Sequence, residues 1–134
     1  WRRSYDIPPP SIDNEDPSHP RFDSKYDGID ELPSGESLKD TLSRVKTYWE
    51  NQILPELLGN KKVLVVAHGN SLRSMIKIIE KIDDESIVEL NLPTGIPIVY
   101  EFNENLEPIS KDFLADSKSL QAAQDAVANQ GKSE

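Results

Sequence analysis

Residues 63–73 read Val63-Leu64-Val65-Val66-Ala67-His68-Gly69-Asn70-Ser71-Leu72-Arg73. The first five are apolar, and an unbroken run of this kind predicts a strand buried on both faces, as in a parallel sheet covered by helices. The run stops at a histidine and a glycine, after which Asn70 or Ser71 can begin a helix. The stretch therefore predicts a strand, a tight loop and a helix, with an imidazole at the carboxyl end of the strand.

The predicted loop has the chemistry of an anion site. Ligands of open α/β sheets bind outside the carboxyl ends of the strands, and the N–H groups that begin a helix favour phosphate. Gly69 would let the backbone approach a ligand closely, and His68 could donate a hydrogen bond to a phosphoryl group. The alternative is a histidine that caps a strand end and binds nothing. The pattern matches neither a Walker loop nor a dinucleotide fingerprint.

Two amphipathic helices are predicted, one before this strand and one after it. Ser34 or Ser37 can cap the first, and with Ser37 as the cap Asp40 falls at the reciprocal position. Pro55 should kink or end this helix. The first helix has the apolar face Leu38, Leu42, Val45, Trp49 and Ile53. The second has the apolar face Leu72, Met75, Ile76, Ile79 and Ile82. A further strand is predicted over residues 96–102, followed by a hairpin turn and a returning segment at residues 106–109.

Composition limits the classes of function. The chain has 134 residues, enough for one domain, and its net charge of −9 argues against a nucleic-acid partner because the overall field repels polyanions. It has no cysteine, which excludes disulfides and thiolate zinc sites. No apolar run approaches the roughly 20 residues of a membrane span, and no histidine or carboxylate cluster has metal-ligand spacing.

Residues 1–35 predict a long irregular excursion that begins Trp1-Arg2-Arg3, without an initiator methionine. We expect part of a longer protein to precede Trp1. Arg2 and Arg3 could clamp phosphate or carboxylate groups through their forked donors. They could instead be solvated surface charges, or form an SH3-type ligand with the proline run at residues 8–10.

Three other polar residues have simpler expectations. His19 lies in a polar loop and is predicted to be solvated. Arg73, on the first turn of the helix after His68, could face either the site or solvent. Glu36 is expected to cap the first helix, or to hold a residue of the site in place without itself touching the ligand.

Several stretches resemble the cofactor-dependent phosphoglycerate mutases of the histidine phosphatase superfamily. In order along the chain they are residues 1–10, 36–40, 67–73, 89–100 and 126–132. The resemblance covers only the C-terminal part of that family, since the Arg-His-Gly motif of its phosphorylated histidine and its general-acid glutamate motif have no match. It implies an α/β fold: a three-layer sandwich with a mainly parallel sheet flanked by helices, here incomplete. The single domain would comprise an arm and loop at 1–35, a core at 36–110 and a mobile tail at 111–134.

The resemblance also implies a reaction. It is the interconversion of 2-phosphoglycerate and 3-phosphoglycerate in glycolysis, through a phosphohistidine upstream of this chain, primed by 2,3-bisphosphoglycerate and without a metal. His68 would be the second active-site histidine, which hydrogen-bonds the transferring phosphoryl group. Gly69 and Asn70 would bind ligand in the loop, and Arg2 and Arg3 would hold the anionic groups of the substrate.

Two alternatives stay open beside the mutase. One is a bisphosphoglycerate mutase or phosphatase of the same superfamily, and the other is a non-catalytic anion-binding fragment. We expect the 134-residue chain alone to be inactive. We also expect a homo-oligomer with a cytoplasmic location, phosphoglycerates as ligands, and neither membrane nor nucleic acid as a partner.

Overall fold

The computed structural model describes residue 1 and residues 3–130. Its helices are α1 (Leu38–Tyr48), a π-helical turn (Trp49–Ile53), α2 (Leu54–Leu58), α3 (Gly69–Glu80) and α4 (Ser117–Asn129). Its strands are β1 (Ile98–Phe102) and β2 (Pro108–Phe113). Short 3₁₀ turns lie at Pro20–Phe22, Ser24–Tyr26 and Ser86–Glu89. The described part of the N-terminal arm otherwise has irregular backbone, as predicted.

The predicted capping box at the start of α1 is confirmed. The Asp40 N–H donates to the Ser37 hydroxyl oxygen at 3.3 Å, and the Ser37 N–H donates to the Asp40 carboxylate at 2.9 Å. Hydrogen bonds from the Ser37 hydroxyl and N–H hold the pKa of Asp40 below its usual value. Glu36 takes no capping bond. It accepts both Nε (2.9 Å) and Nη2 (2.7 Å) of Arg44 instead, so the capping role proposed for it belongs to Ser37.

Replacing Ser37 by alanine should lower the free energy of unfolding by about 1 kcal/mol, because the first turn of α1 loses its side-chain acceptor. Urea unfolding followed by circular dichroism measures the change. Ser43→Ala is the matched control, since Ser43 is exposed within α1 and alanine is the better helix former there. Equal stabilities of the two variants would contradict the capping role.

Pro55 shapes the end of the first helical segment. Proline has no N–H for the helical ladder, and its ring crowds the preceding turn. The helix widens into the π turn before Pro55, where the Leu54 N–H donates to the carbonyl of Trp49, and then continues as α2. The helix therefore does not end at Pro55 as one of the two predicted alternatives has it: it passes through the π turn and runs on to Leu58.

The core lies between α1 and α3, which form the largest contact between separate helices. Its buried apolar side chains are Leu38, Trp49, Ile53, Ile76 and Ile87. Lys77 is buried beside them, with its ammonium 2.8 Å from Asp84 and 2.6 Å from the carbonyl of Ile82. The same ammonium lies 5.0 Å from the centre of the Tyr5 ring. A buried charge needs such partners because desolvation is costly.

The predicted hairpin is confirmed as β1 and β2, which pair antiparallel from Ile98 opposite Phe113 to Phe102 opposite Pro108. The boundary at residue 111 of the predicted tail therefore falls inside β2. Glu80, at the end of α3, accepts hydrogen bonds from the Tyr100 hydroxyl and, at 2.8 Å, from the Lys111 ammonium. Burial opposes ionisation of Glu80, but these two bonds outweigh it and lower its pKa. Burial and the bond to Glu80 raise the pKa of Tyr100.

The strand predicted at residues 63–67 does not form. Residues 61–67 have no strand pairing, and the side chains of Leu64 and Val66 are 88% and 87% exposed. Within the described residues the one sheet is the antiparallel hairpin, so the predicted mainly parallel sheet is not seen there. The physical reason is that a central strand needs neighbours along both edges and cover on both faces, and the described residues supply neither. The fold is thus α/β, and the apolar segment at residues 63–67 is exposed to solvent.

Candidate functional site

His68 lies at the N-cap of α3, where the apolar segment meets the helix. Its backbone is extended (φ −62°, ψ 149°), and its Nδ1 accepts the N–H of Asn70 at 3.3 Å. Because Nδ1 is the acceptor, a neutral ring carries its proton on Nε2. The residue is exposed, so it combines a capping role with an Nε2–H donor that a ligand can reach.

Gly69 and Asn70 form the first turn of α3, one residue earlier than the predicted helix start. Gly69 has no positive φ, and a Cβ built on it would meet no atom within 4 Å. Backbone conformation therefore does not demand glycine there, which corrects the tight-turn interpretation. The N–H groups of a first helical turn have no intrahelical partner, and they carry the positive end of the helix dipole. His68 Nδ1 already accepts the Asn70 N–H, so the backbone donor that the start of α3 offers to a ligand is the N–H of Gly69, next to the Asn70 side chain.

Arg73 is half-buried and contacts Asn70 and the turn at Ser86–Glu89. Its Nη1 lies 3.4 Å from Oδ1 of Asn70, and its Nη2 donates to the carbonyl of Ile87 at 2.7 Å. The guanidinium therefore joins the first turn of α3 to the turn at Ser86–Glu89. The i, i+3 spacing of Asn70 and Arg73 is a signal that the sequence already contains.

Arg3 lies away from this point. Its Nη2 donates to the carbonyl of Ala128 at 2.6 Å, in the last turn of α4, where carbonyls lack intrahelical partners and favour a cation. Among the described residues, no hydrogen bond or ion pair joins Arg3 to His68, Gly69 or Asn70. Arg2, its predicted partner in the clamp, lies outside the described residues.

His19 corrects a prediction. It is 3% exposed rather than solvated, and its Nδ1 accepts the N–H of Arg21 at 3.0 Å. It caps the turn at Pro20–Phe22 and helps line an open cavity of about 580 Å³ in the arm. No periodic pattern signals this burial, because the arm folds around the ring without regular secondary structure.

The donors at the start of α3 suit an oxyanion better than a metal ion. The group consists of an imidazole N–H, backbone N–H groups and a carboxamide, with a guanidinium beside it. Across residues 1 and 3–130, no group of three or more histidine or carboxylate side chains is placed to hold a metal. None of the helices there has the length and apolar character that a bilayer crossing requires.

Comparison with known proteins agrees with this chemistry. Residues 5–110 match the histidine phosphatase superfamily (branch 1). This chain is 49% identical over 134 residues to each of two curated relatives. They are the 2,3-bisphosphoglycerate-dependent phosphoglycerate mutases of Borrelia garinii subsp. bavariensis and Borreliella afzelii. Each alignment covers 98% of this chain and 54% of the relative, so the chain spans about half the length of these curated relatives. The resemblance noted in the motifs is confirmed, and the chain belongs to the histidine phosphatase superfamily, branch 1.

Proposed function

We propose that this chain is the C-terminal part of a phosphoglycerate mutase. The enzyme would interconvert 2-phosphoglycerate and 3-phosphoglycerate in glycolysis, through a phosphohistidine that lies upstream of Trp1. The observation that carries the proposal is the placement of His68 at the N-cap of α3. The names of the two Borrelia-type relatives support the choice of mutase and of 2,3-bisphosphoglycerate as the priming cofactor.

In the proposed reaction the residues at the start of α3 stabilise charge. The Nε2–H of His68 donates to an oxygen of the transferring phosphoryl group, while Gly69 and Asn70 supply further donors. A phosphoryl group in transfer spreads negative charge over its equatorial oxygens, so donors placed beforehand lower the barrier. When bound, 2,3-bisphosphoglycerate supplies the priming phosphoryl group.

Arg2 and Arg3 are proposed to hold the anionic groups of the substrate. Because Arg3 contacts the end of α4 in this structure, substrate binding would require it to exchange the carbonyl of Ala128 for a phosphate or carboxylate. An ionised oxygen is the stronger acceptor for a guanidinium. Residues 114–130, which follow β2, are proposed to close over the site, and α4 has no buried residue that would resist such a motion.

The exposed apolar segment at residues 63–67 is proposed to be a strand of a mainly parallel sheet. Polypeptide outside the 134 residues would supply the neighbouring strands. Leu64 and Val66 would then lose the exposure they have here. A homo-oligomer and a cytoplasmic location complete the proposal. It assigns transfer between substrates, rather than bisphosphoglycerate synthesis or hydrolysis, as the main activity.

Binding of 3-phosphoglycerate should perturb residues 68–70 in NMR spectra of the ¹⁵N-labelled chain. We expect the His68 Nε2 resonance, the Gly69 backbone amide and the Asn70 Nδ2 group to shift together at millimolar ligand, because the phosphate accepts from all three. Glycerate, which lacks the phosphate, is the control ligand, and the buried His19 is the internal control. Unchanged resonances at residues 68–70 would contradict the site.

A further inference from the structure

The guanidinium of Arg73 is held by a rigid part of the fold. Its Nη2 donates at 2.7 Å to the carbonyl of Ile87, whose side chain has 0% exposure. The turn that contains Ile87 is itself tied down, because the Asp83 carboxylate accepts the N–H of Ser86 at 2.6 Å and that of Glu85 at 3.0 Å. The contact with the buried residue Ile87 therefore fixes the position of the Arg73 guanidinium.

The other end of the guanidinium reaches Asn70. Nη1 of Arg73 lies 3.4 Å from Oδ1 of Asn70, one turn earlier on α3. A guanidinium has donors and no acceptor, so it can pair only with the oxygen of a carboxamide. The amide group of Asn70, Nδ2, must then point away from Arg73. An unguided carboxamide could instead turn its oxygen toward a bound anion, which would repel it.

We propose that Arg73 is a positioning residue. It orients the Asn70 carboxamide so that Nδ2 donates to an oxyanion bound at the start of α3, beside Nε2 of His68. The inference deepens the proposed function and rests on it for the identity of the anion. The same guanidinium links the site to the turn at Ser86–Glu89, so a displacement of that turn would change the orientation of the Asn70 carboxamide.

The two bond lengths of Arg73 indicate how much it contributes to anion binding. The bond to Ile87 is short, whereas the bond to Asn70 is near the long limit for a hydrogen bond. The orienting contact is therefore worth no more than one ordinary hydrogen bond. Losing it should weaken anion binding roughly fivefold rather than abolish it.

The first test needs no ligand. In Arg73→Lys the charge remains, but a single ammonium cannot bridge the Ile87 carbonyl and the Asn70 oxygen as a planar fork does. We expect ¹⁵N relaxation of the Asn70 Nδ2 group to show greater mobility in this variant. The matched control is Arg44→Lys, which changes an arginine paired with Glu36 on α1 and should leave the Asn70 carboxamide unchanged.

The second test is a double-mutant cycle with inorganic phosphate as the probe. Arg73→Lys should weaken phosphate binding roughly fivefold with asparagine at position 70, and should have no further effect on Asn70→Ala. A merely structural role would weaken binding equally in both backgrounds, and that result would overturn the proposal.

The outcomes separate the two hypotheses. If phosphate perturbs nothing at residues 68–70 of the unsubstituted chain, the proposed function fails, and the ligand-free test still decides the role of Arg73. A carboxamide loosened by Arg73→Lys supports positioning. A carboxamide with unchanged mobility and chemical shift overturns it.

Discussion

We expect the purified chain, assayed alone, to show no phosphoglycerate mutase turnover. The family's Arg-His-Gly motif and its general-acid glutamate motif have no match in the 134 residues, so the chain holds neither the nucleophile nor the general acid of the proposed reaction. Without a nucleophile no phosphohistidine can form, and the stabilising role proposed for His68 has no transition state to act on. A coupled assay on protein of verified mass measures this. Turnover above the background of an empty-vector preparation would contradict the expectation.

Supplying the missing groups should restore activity. For this, the chain is co-expressed with the part of the Borrelia garinii relative that it does not cover. Assembly should bury residues 63–67, so Leu64→Asp combined with Val66→Asp should prevent it, because charges would enter a sheet interior. Lys62→Asp, an exposed change just before the segment, is the matched control and should leave assembly intact. Full activity with both aspartates present would disprove the buried strand.

The second large effect is expected at His68 in the complemented enzyme. His68→Ala should lower kcat about 10²–10³-fold, equivalent to roughly 2.7–4 kcal/mol, as for other losses of one donor to a developing oxyanion. Rapid-quench measurement of phosphoryl transfer separates this from an effect on substrate binding. The physical reason is that the Nε2–H contact is strongest when the transferring group carries most charge.

His68→Asn separates catalysis from capping. Asparagine is a good N-cap and can accept the Asn70 N–H in place of Nδ1, but it is too short to replace Nε2. We expect this variant to retain the stability of α3, measured by its unfolding midpoint, and to lose activity as far as His68→Ala does. Retained activity in His68→Asn would show that capping is the only role of His68.

Local signals in the sequence predicted much of the fold. The capping box at Ser37 and Asp40 and the hairpin between β1 and β2 each depend on residues a few positions apart. The apolar faces of α1 and α3 follow from helical periodicity in the same way. Helix α3 begins at Gly69, within two residues of the predicted starts at Asn70 or Ser71, because capping chemistry is local.

Contacts between distant parts of the chain could not be predicted in this way. Arg3 binds the end of α4 across 125 positions, and the ammonium of Lys77 lies against the ring of Tyr5, near the start of the chain. His19 was expected in solvent because its neighbours are polar, yet the arm encloses it. Each of these outcomes depends on which surfaces meet after the chain folds, and no spacing along the sequence encodes that.

Residues 63–73 show both sides of this division. Their order of apolar run, histidine, glycine and helix former was sufficient to place a capped helix with an imidazole at its start, since capping acts over two or three residues. It was insufficient to make a strand, because strand pairing needs a neighbour and burial needs cover, and the folded residues around this segment offer neither. Tertiary contacts alone joined Arg73 to the carbonyl of Ile87 and Arg3 to the end of α4, since partners that lie far apart in the sequence are chosen by proximity in space.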